Sequence, residues 1–196
     1  MSATGGAHGA KTMALYSFTE MLDYSRGVRE QTDALTIQSM IDGCTQVVKT
    51  GLHDDRAGVD YIATLRKGAT ILIDAKTRTP GCSKYWRQGP ELALEVWSVL
   101  PNGKYGSATG KVGWTLCESK NVDYILFTFD PADSNEVFLY PYQLLRMTFR
   151  RMLSHWWQTY KVDTQDSHTW ESQCVFVPES VVWGALRDSM RVQVAA

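Results

Sequence analysis

"GVDYIATLRKGATILIDAKTR", residues 58–78, holds two apolar runs with charges set inside them. Asp60 opens the first run, and Asp74 and Lys76 close the second. Both runs are rich in β-branched residues and have the length of strands. Arg66-Lys67-Gly68 between them fits a three-residue hairpin loop, with Gly68 in the left-handed position. Leu65 then faces Ala69, and counting outwards sets Asp60 opposite Asp74. Opposed residues project from one sheet face, and Lys76, two residues beyond Asp74, shares that face. A two-residue turn at Lys67-Gly68 is the alternative. It would shift the register by one and part the two acids.

Two carboxylates held side by side repel, which raises the pKa of one of them. Lys76 offsets part of that repulsion, and a divalent cation would offset more. Magnesium prefers oxygen ligands and keeps several waters, so one or two carboxylates with a phosphate suit it. Such a metal would stabilise charge on a phosphate, and Lys76 would orient the attacking water or the phosphate. The plain alternative is a structural ion pair at a sheet edge, although buried ion pairs are poor stabilisers.

Outward from the hairpin, residues 28–48 carry a helical stripe of Ala34, Ile37, Ile41, Cys44 and Val48, which extends back to Glu30. A shorter capped helix is expected between Ser17 and Gly27. After the hairpin, strands are expected at 92–100, 122–129 and 136–140, with a glycine-rich loop at 101–111. A helix begins near Pro141, "CVFVP" is a short late strand, and a last helix begins near Pro178. No repeat or domain boundary interrupts this order. The first 14 residues read as a flexible tail, and residues 15–196 as one α/β domain with a central mixed β-sheet flanked by helices.

An acid at one strand, then Asp-x-Lys in the next, here Asp60 and Asp74-Ala75-Lys76, resembles the PD-(D/E)XK nuclease superfamily. The resemblance covers residues 28–140 and implies a restriction-endonuclease-like core and metal-dependent cleavage of phosphodiester bonds. It implies Asp60 and Asp74 as ligands of Mg²⁺, with Mn²⁺ able to substitute, and Lys76 as the catalytic cation. It also implies a helix acid, for which Glu30 is the candidate and Glu20 and Asp33 are rivals. Val59 stands where the family pattern has proline. Some branches add a glutamine or acid after the lysine strand, and Gln88, Glu91 and Glu95 are the accessory candidates here.

Arg78, Lys84 and Arg87 follow the lysine strand and are the candidate nucleic-acid contacts, with DNA the expected substrate. Each alone is also an ordinary surface cation. Tyr85 and Trp86 would stack on a base or plug the sheet. The formal charge of −1 over 196 residues excludes a globally basic nucleic-acid binder but not a basic face. Four scattered cysteines and four histidines form no zinc spacing. The thiols read as reduced, in a cytoplasmic protein. No run approaches the roughly 20 apolar residues of a membrane helix, and both a monomer and a homodimer fit. The competing function class is a catalytically inactive nucleic-acid-binding or protein-interaction module on the same scaffold.

Overall fold

A computed structural model describes residues 29–51, 58–78 and 80–194, without the side chains of residues 29–32 and 192–194. The expected tail, the helix between Ser17 and Gly27, and Glu20 lie outside these residues.

The hairpin has the register that a three-residue turn demands. Strands β2 (Tyr61–Leu65) and β3 (Thr70–Thr77) pair antiparallel from Tyr61↔Ile73 to Thr64↔Thr70. Leu65 N–H donates to the Ala69 carbonyl at 2.8 Å, and Gly68 takes φ 80. A side chain at that φ would be strained.

Ahead of the hairpin, α1 (Arg29–Met40) ends at Gly43, whose φ is 75, and β1 (Cys44–Lys49) follows. The expected helix to Val48 is therefore corrected. Cys44 and Val48 continue the three- and four-residue spacing only by coincidence. The left-handed Gly43 stops the helix, and the run with Thr45, Val47 and Val48 pairs antiparallel with β2 instead.

β6 (Tyr124–Thr128) lies parallel beside β3, and β7 (Val137–Pro141) returns antiparallel to β6. The sheet order is β1-β2-β3-β6-β7. Parallel neighbours need a long crossover, and residues 78–123 supply it. That crossover contains β4 (Glu91–Val99) and β5 (Lys111–Val112).

Those two strands do not join the first sheet. They form a second, antiparallel sheet, β5-β4-β9-β8, with β8 (Lys161–Asp166) and β9 (Glu171–Pro178). The expectation of one central sheet is corrected here. Alternation in "ELALEVWSV" says which side chains turn inwards, but not which strand lies alongside. β8, "KVDTQD", carries no apolar alternation because it is a polar edge strand.

The main core lies against one face of the first sheet. Ile125 and Phe127 meet Leu92, Leu94, Val175 and Val177 of the second sheet, with α2 (Tyr142–Thr159) and α3 (Glu179–Val194). α2 buries Tyr142, Leu145, Phe149 and Trp156, one stripe at helical spacing. Thr148 of α2 is 1% exposed and shares a 2.8 Å hydrogen bond with Ser189 of α3. A smaller core lies on the opposite face, where Ile37 of α1 packs on Tyr61, Ala63, Ile73 and Leu126. No described helix is long and apolar enough to cross a membrane.

Candidate functional site

Strand alternation puts Tyr61 and Ile73 towards α1. It therefore turns Asp60, Asp74 and Lys76 to the other face, where Leu72 joins the main core. The two acids meet as the hairpin register requires. Asp60 Oδ2 accepts the Ala75 backbone N–H at 2.6 Å, and its carboxyl lies beside that of Asp74. Asp74 is 1% exposed.

Asp74 carries two lysines. Lys76 Nζ donates to Oδ1 at 2.7 Å. Lys120 Nζ lies 2.9 Å from Oδ2 and donates to the Gly58 carbonyl at 3.0 Å. The Lys120 contact to Oδ2 is an ion pair off the line of a hydrogen bond, so this buried oxygen has a counter-ion but no lysine donor. Gly58 takes φ 80, and a Cβ there would collide with Lys120 Nζ. Its lack of a side chain lets the lysine dock.

Burial is the first reason the Asp60 carboxyl is pushed up to about 7, followed by its hydrogen bond and repulsion with Asp74. Lys76 and the Ala75 N–H act in the other direction. Burial pushes Asp74 up too, but Lys76 and Lys120 outweigh it and hold Asp74 below the usual carboxylate range. Burial lowers Lys76, yet Asp74, Asp60 and then Glu95 keep it above its ordinary value. The pair therefore takes up a proton as pH falls through about 7, with Asp60 the favoured holder. Lys76 keeps 30% of its side-chain surface accessible, unlike Asp74 beneath it at 1%.

The loop at 113–120 lies beside the cluster. Trp114 N–H donates to Glu95 Oε2 at 3.0 Å, and Ser98 Oγ donates to the same oxygen at 2.6 Å. The Tyr142 hydroxyl reaches the Trp114 carbonyl at 2.8 Å and the Cys117 carbonyl at 2.6 Å. Gly113 packs directly on the Glu95 backbone, where a Cβ would collide. Strapped in this way, the loop sets the Trp114 ring 5.9 Å from Lys76 Nζ and delivers Lys120 to Asp74.

The remaining sequence candidates are dispersed. Glu95 joins the cluster through Lys76 and the loop. Glu91 is 5% exposed, and its carboxylate accepts the Arg87 N–H at 3.3 Å within the turn ahead of β4. Gln88 and Arg87 are exposed on that turn. Glu30 lies in α1, whose described side chains pack on the opposite sheet face, and its own side chain is not among those described. Its rival Asp33 is on that opposite face too, accepting from the Tyr61 hydroxyl at 3.3 Å. Arg78 extends the row of Asp74 and Lys76, with its N–H bonded to the Thr128 carbonyl at 3.0 Å. Lys84 lies 5.0 Å from the centre of the Tyr85 ring. Trp86 packs edge-on against Phe129 at 5.2 Å, as the sheet plug rather than a stacking platform.

Lys120, Trp114 and Tyr142 were not singled out from the sequence. "CESKNVDY" is an ordinary polar stretch before a strand, and no local pattern says that its lysine returns to Asp74 across 46 residues of chain. Among the described residues, no group of three or more His, Cys, Asp and Glu side chains converges as a metal cage. The acids at the site are the Asp60–Asp74 pair, with Glu95 beside Lys76.

No protein-family model, no curated protein and no solved structure matches this chain.

Proposed function

We propose that the protein is a metal-dependent nuclease of the PD-(D/E)XK type that hydrolyses phosphodiester bonds in DNA. The observation that carries this reading is the meeting of Asp60 and Asp74 across one hairpin, with Lys76 on the same face and partly accessible to solvent. The order of a helix, three antiparallel strands, a crossover and a strand parallel to the third supports this reading.

The donor set fits a hard divalent cation. It offers two adjacent carboxylates, and a buried Asp74 oxygen with a lysine beside it but no hydrogen-bond donor. Asp60 and Asp74 would hold Mg²⁺ or Mn²⁺, and the ion would supply charge neutralisation at the scissile phosphate and a more acidic water. Loss of the Asp60 proton readies the pair to bind. The accessible tip of Lys76 holds a phosphate oxygen or orients the water, and Asp74 fixes that ammonium in place. Lys120 keeps Asp74 ionised throughout.

One observation favours the inactive binding module instead. Both Asp74 oxygens already have a lysine within 2.9 Å, so the cluster is balanced without a metal. Cleavage of labelled single-stranded, duplex and branched DNA by the purified protein, with Mg²⁺, Mn²⁺ or EDTA, separates the two. The nuclease requires metal-dependent cutting that is lost in Asp74→Ala and Lys76→Ala variants that remain folded. Full activity in both variants would refute the assignment, and DNA binding without cutting would select the module.

A further inference from the structure

β3 does not stop acting at Lys76. The Arg78 N–H continues the ladder to Thr128, so Asp74, Lys76 and Arg78 stand in one row on one face, roughly 7 Å apart along the strand. Arg78 then leaves the first sheet. Its guanidinium lies 4.6 Å from the centre of the Phe176 ring on β9. Lys161 of β8 approaches the same ring at 5.4 Å and the Tyr85 ring at 5.5 Å. Lys84 flanks Tyr85 at 5.0 Å. A cationic and aromatic track therefore runs from the carboxylate site across the second sheet and ends at Tyr85.

The elements of this track differ in exposure in a way that suits binding. Phe176 is 5% exposed, roofed by its two cations, and Tyr85 is 43% exposed. Buried Phe176 holds Arg78 and Lys161 in place, which lowers the cost of ordering them around an anion. Arg78 Nε is buried and has no hydrogen-bond partner. Lys84 Nζ and Lys161 Nζ lie over the exposed Tyr85 ring, so a stacking base takes the place of one of these flexible ammonium groups, which then meets the adjoining phosphate. Base stacking on that ring needs an unpaired base, and a duplex presents none along its length. Among the described residues, Asp163 pairs with Lys161 at 2.6 Å and Asp133 accepts from the Gly81, Cys82 and Ser83 N–H groups beside Lys84, two acids against three cations.

We infer that Arg78, Phe176, Lys161, Lys84 and Tyr85 form a binding track for the single-stranded part of a nucleic acid, leading it to the Asp74–Lys76 site. The inference rests on the nuclease reading for its direction, but not for the binding itself.

The test is fluorescence anisotropy of the full chain with a labelled 15-nucleotide single strand and the matching duplex, in EDTA so that no cutting intervenes. Wild type is compared with Tyr85→Ala, Tyr85→Phe and Lys161→Ala, all at exposed positions. Single-strand affinity exceeds duplex affinity. Tyr85→Ala weakens it at least about fivefold, the low end of one stacked base, and Tyr85→Phe restores it. Lys161→Ala reduces the slope of log affinity against log salt by about 0.7, one phosphate contact on a single strand. Equal affinity in wild type and Tyr85→Ala, or duplex bound as tightly as single strand, overturns the track. Parallel cleavage assays in Mg²⁺ keep the two claims apart. Tyr85-dependent binding without cutting upholds the track and sinks the nuclease. Cutting with binding indifferent to Tyr85 and Lys161 does the reverse.

Discussion

Asp74 is an almost wholly enclosed charge, and its two lysines make that tolerable. Removing one partner of a buried pair strands the other charge, which typically costs about 3 kcal/mol or more. Lys120 is 8% exposed at its side chain, so its loss is not screened by solvent. Lys120→Ala should therefore lower the urea midpoint by an amount equivalent to about 3 kcal/mol. An unchanged midpoint would mean that the ion pair has no structural weight. Asp60 supplies the pH dependence. Its folded pKa, about 7, lies above the unfolded value near 3.9, so the native state holds the extra proton between them. Its stabilising contribution is complete below the unfolded value and disappears as pH rises through 7. Between pH 6 and 8 the metal-free protein should lose about 1.4 kcal/mol, the integrated titration of one group. Asp74 is held low, so its contribution disappears only on acidification below that window. Denaturant titrations at pH 6 and 8 should show the loss in wild type and little of it in Asp60→Asn.

Between elements, the decisive contact is the packing of the 113–120 loop on β4. Gly113 lies against the Glu95 backbone, and a methyl group would meet the Glu95 carbonyl and also Cγ at 2.8 Å. Backbone cannot swing aside as a lysine tip can. Gly113→Ala should cost about 1–3 kcal/mol, the usual range for overpacking, and should reduce activity by displacing Trp114 and Lys120. Gly51→Ala is the control, because nothing lies within 4 Å of its Cβ position. Equal denaturant midpoints for the two variants would refute this account. The same scale explains the corrected boundaries. Periodicity in residues 28–48 carried a helix through Gly43 because Cys44 and Val48 happen to match a stripe. β8 escaped notice because edge strands need no apolar alternation.

At the scale of the whole molecule, the two sheets and the loop between them enclose a pair of acids, the proposed site of a cation. A ligand that binds only the folded state stabilises it by mass action. Mg²⁺ at about ten times its Kd should add about 1.4 kcal/mol, which raises Tm by roughly 3–6 °C in a chain of this size. The shift should be larger at pH 8 than at pH 6, since the Asp60 proton competes with the metal, and absent in Asp74→Ala. Scanning calorimetry with Mg²⁺ and EDTA at both pH values checks it. A shift that persists in Asp74→Ala would place the ion elsewhere.

The hairpin and its acids could be read from residues 58–78 because their causes are local. Gly68 selects the turn, the turn selects the register, and a period of two then puts Asp60, Asp74 and Lys76 on one face. Most strand positions followed from the same alternation. Sheet partnership did not, since a strand's pattern records its buried face and not its neighbour. That is why β4 and β9 form a second sheet instead of extending the first. Lys120, Glu95 and Lys161 reach their places through contacts between segments far apart in the chain. The free energy of such contacts exists only once both segments are folded, and no local spacing records it.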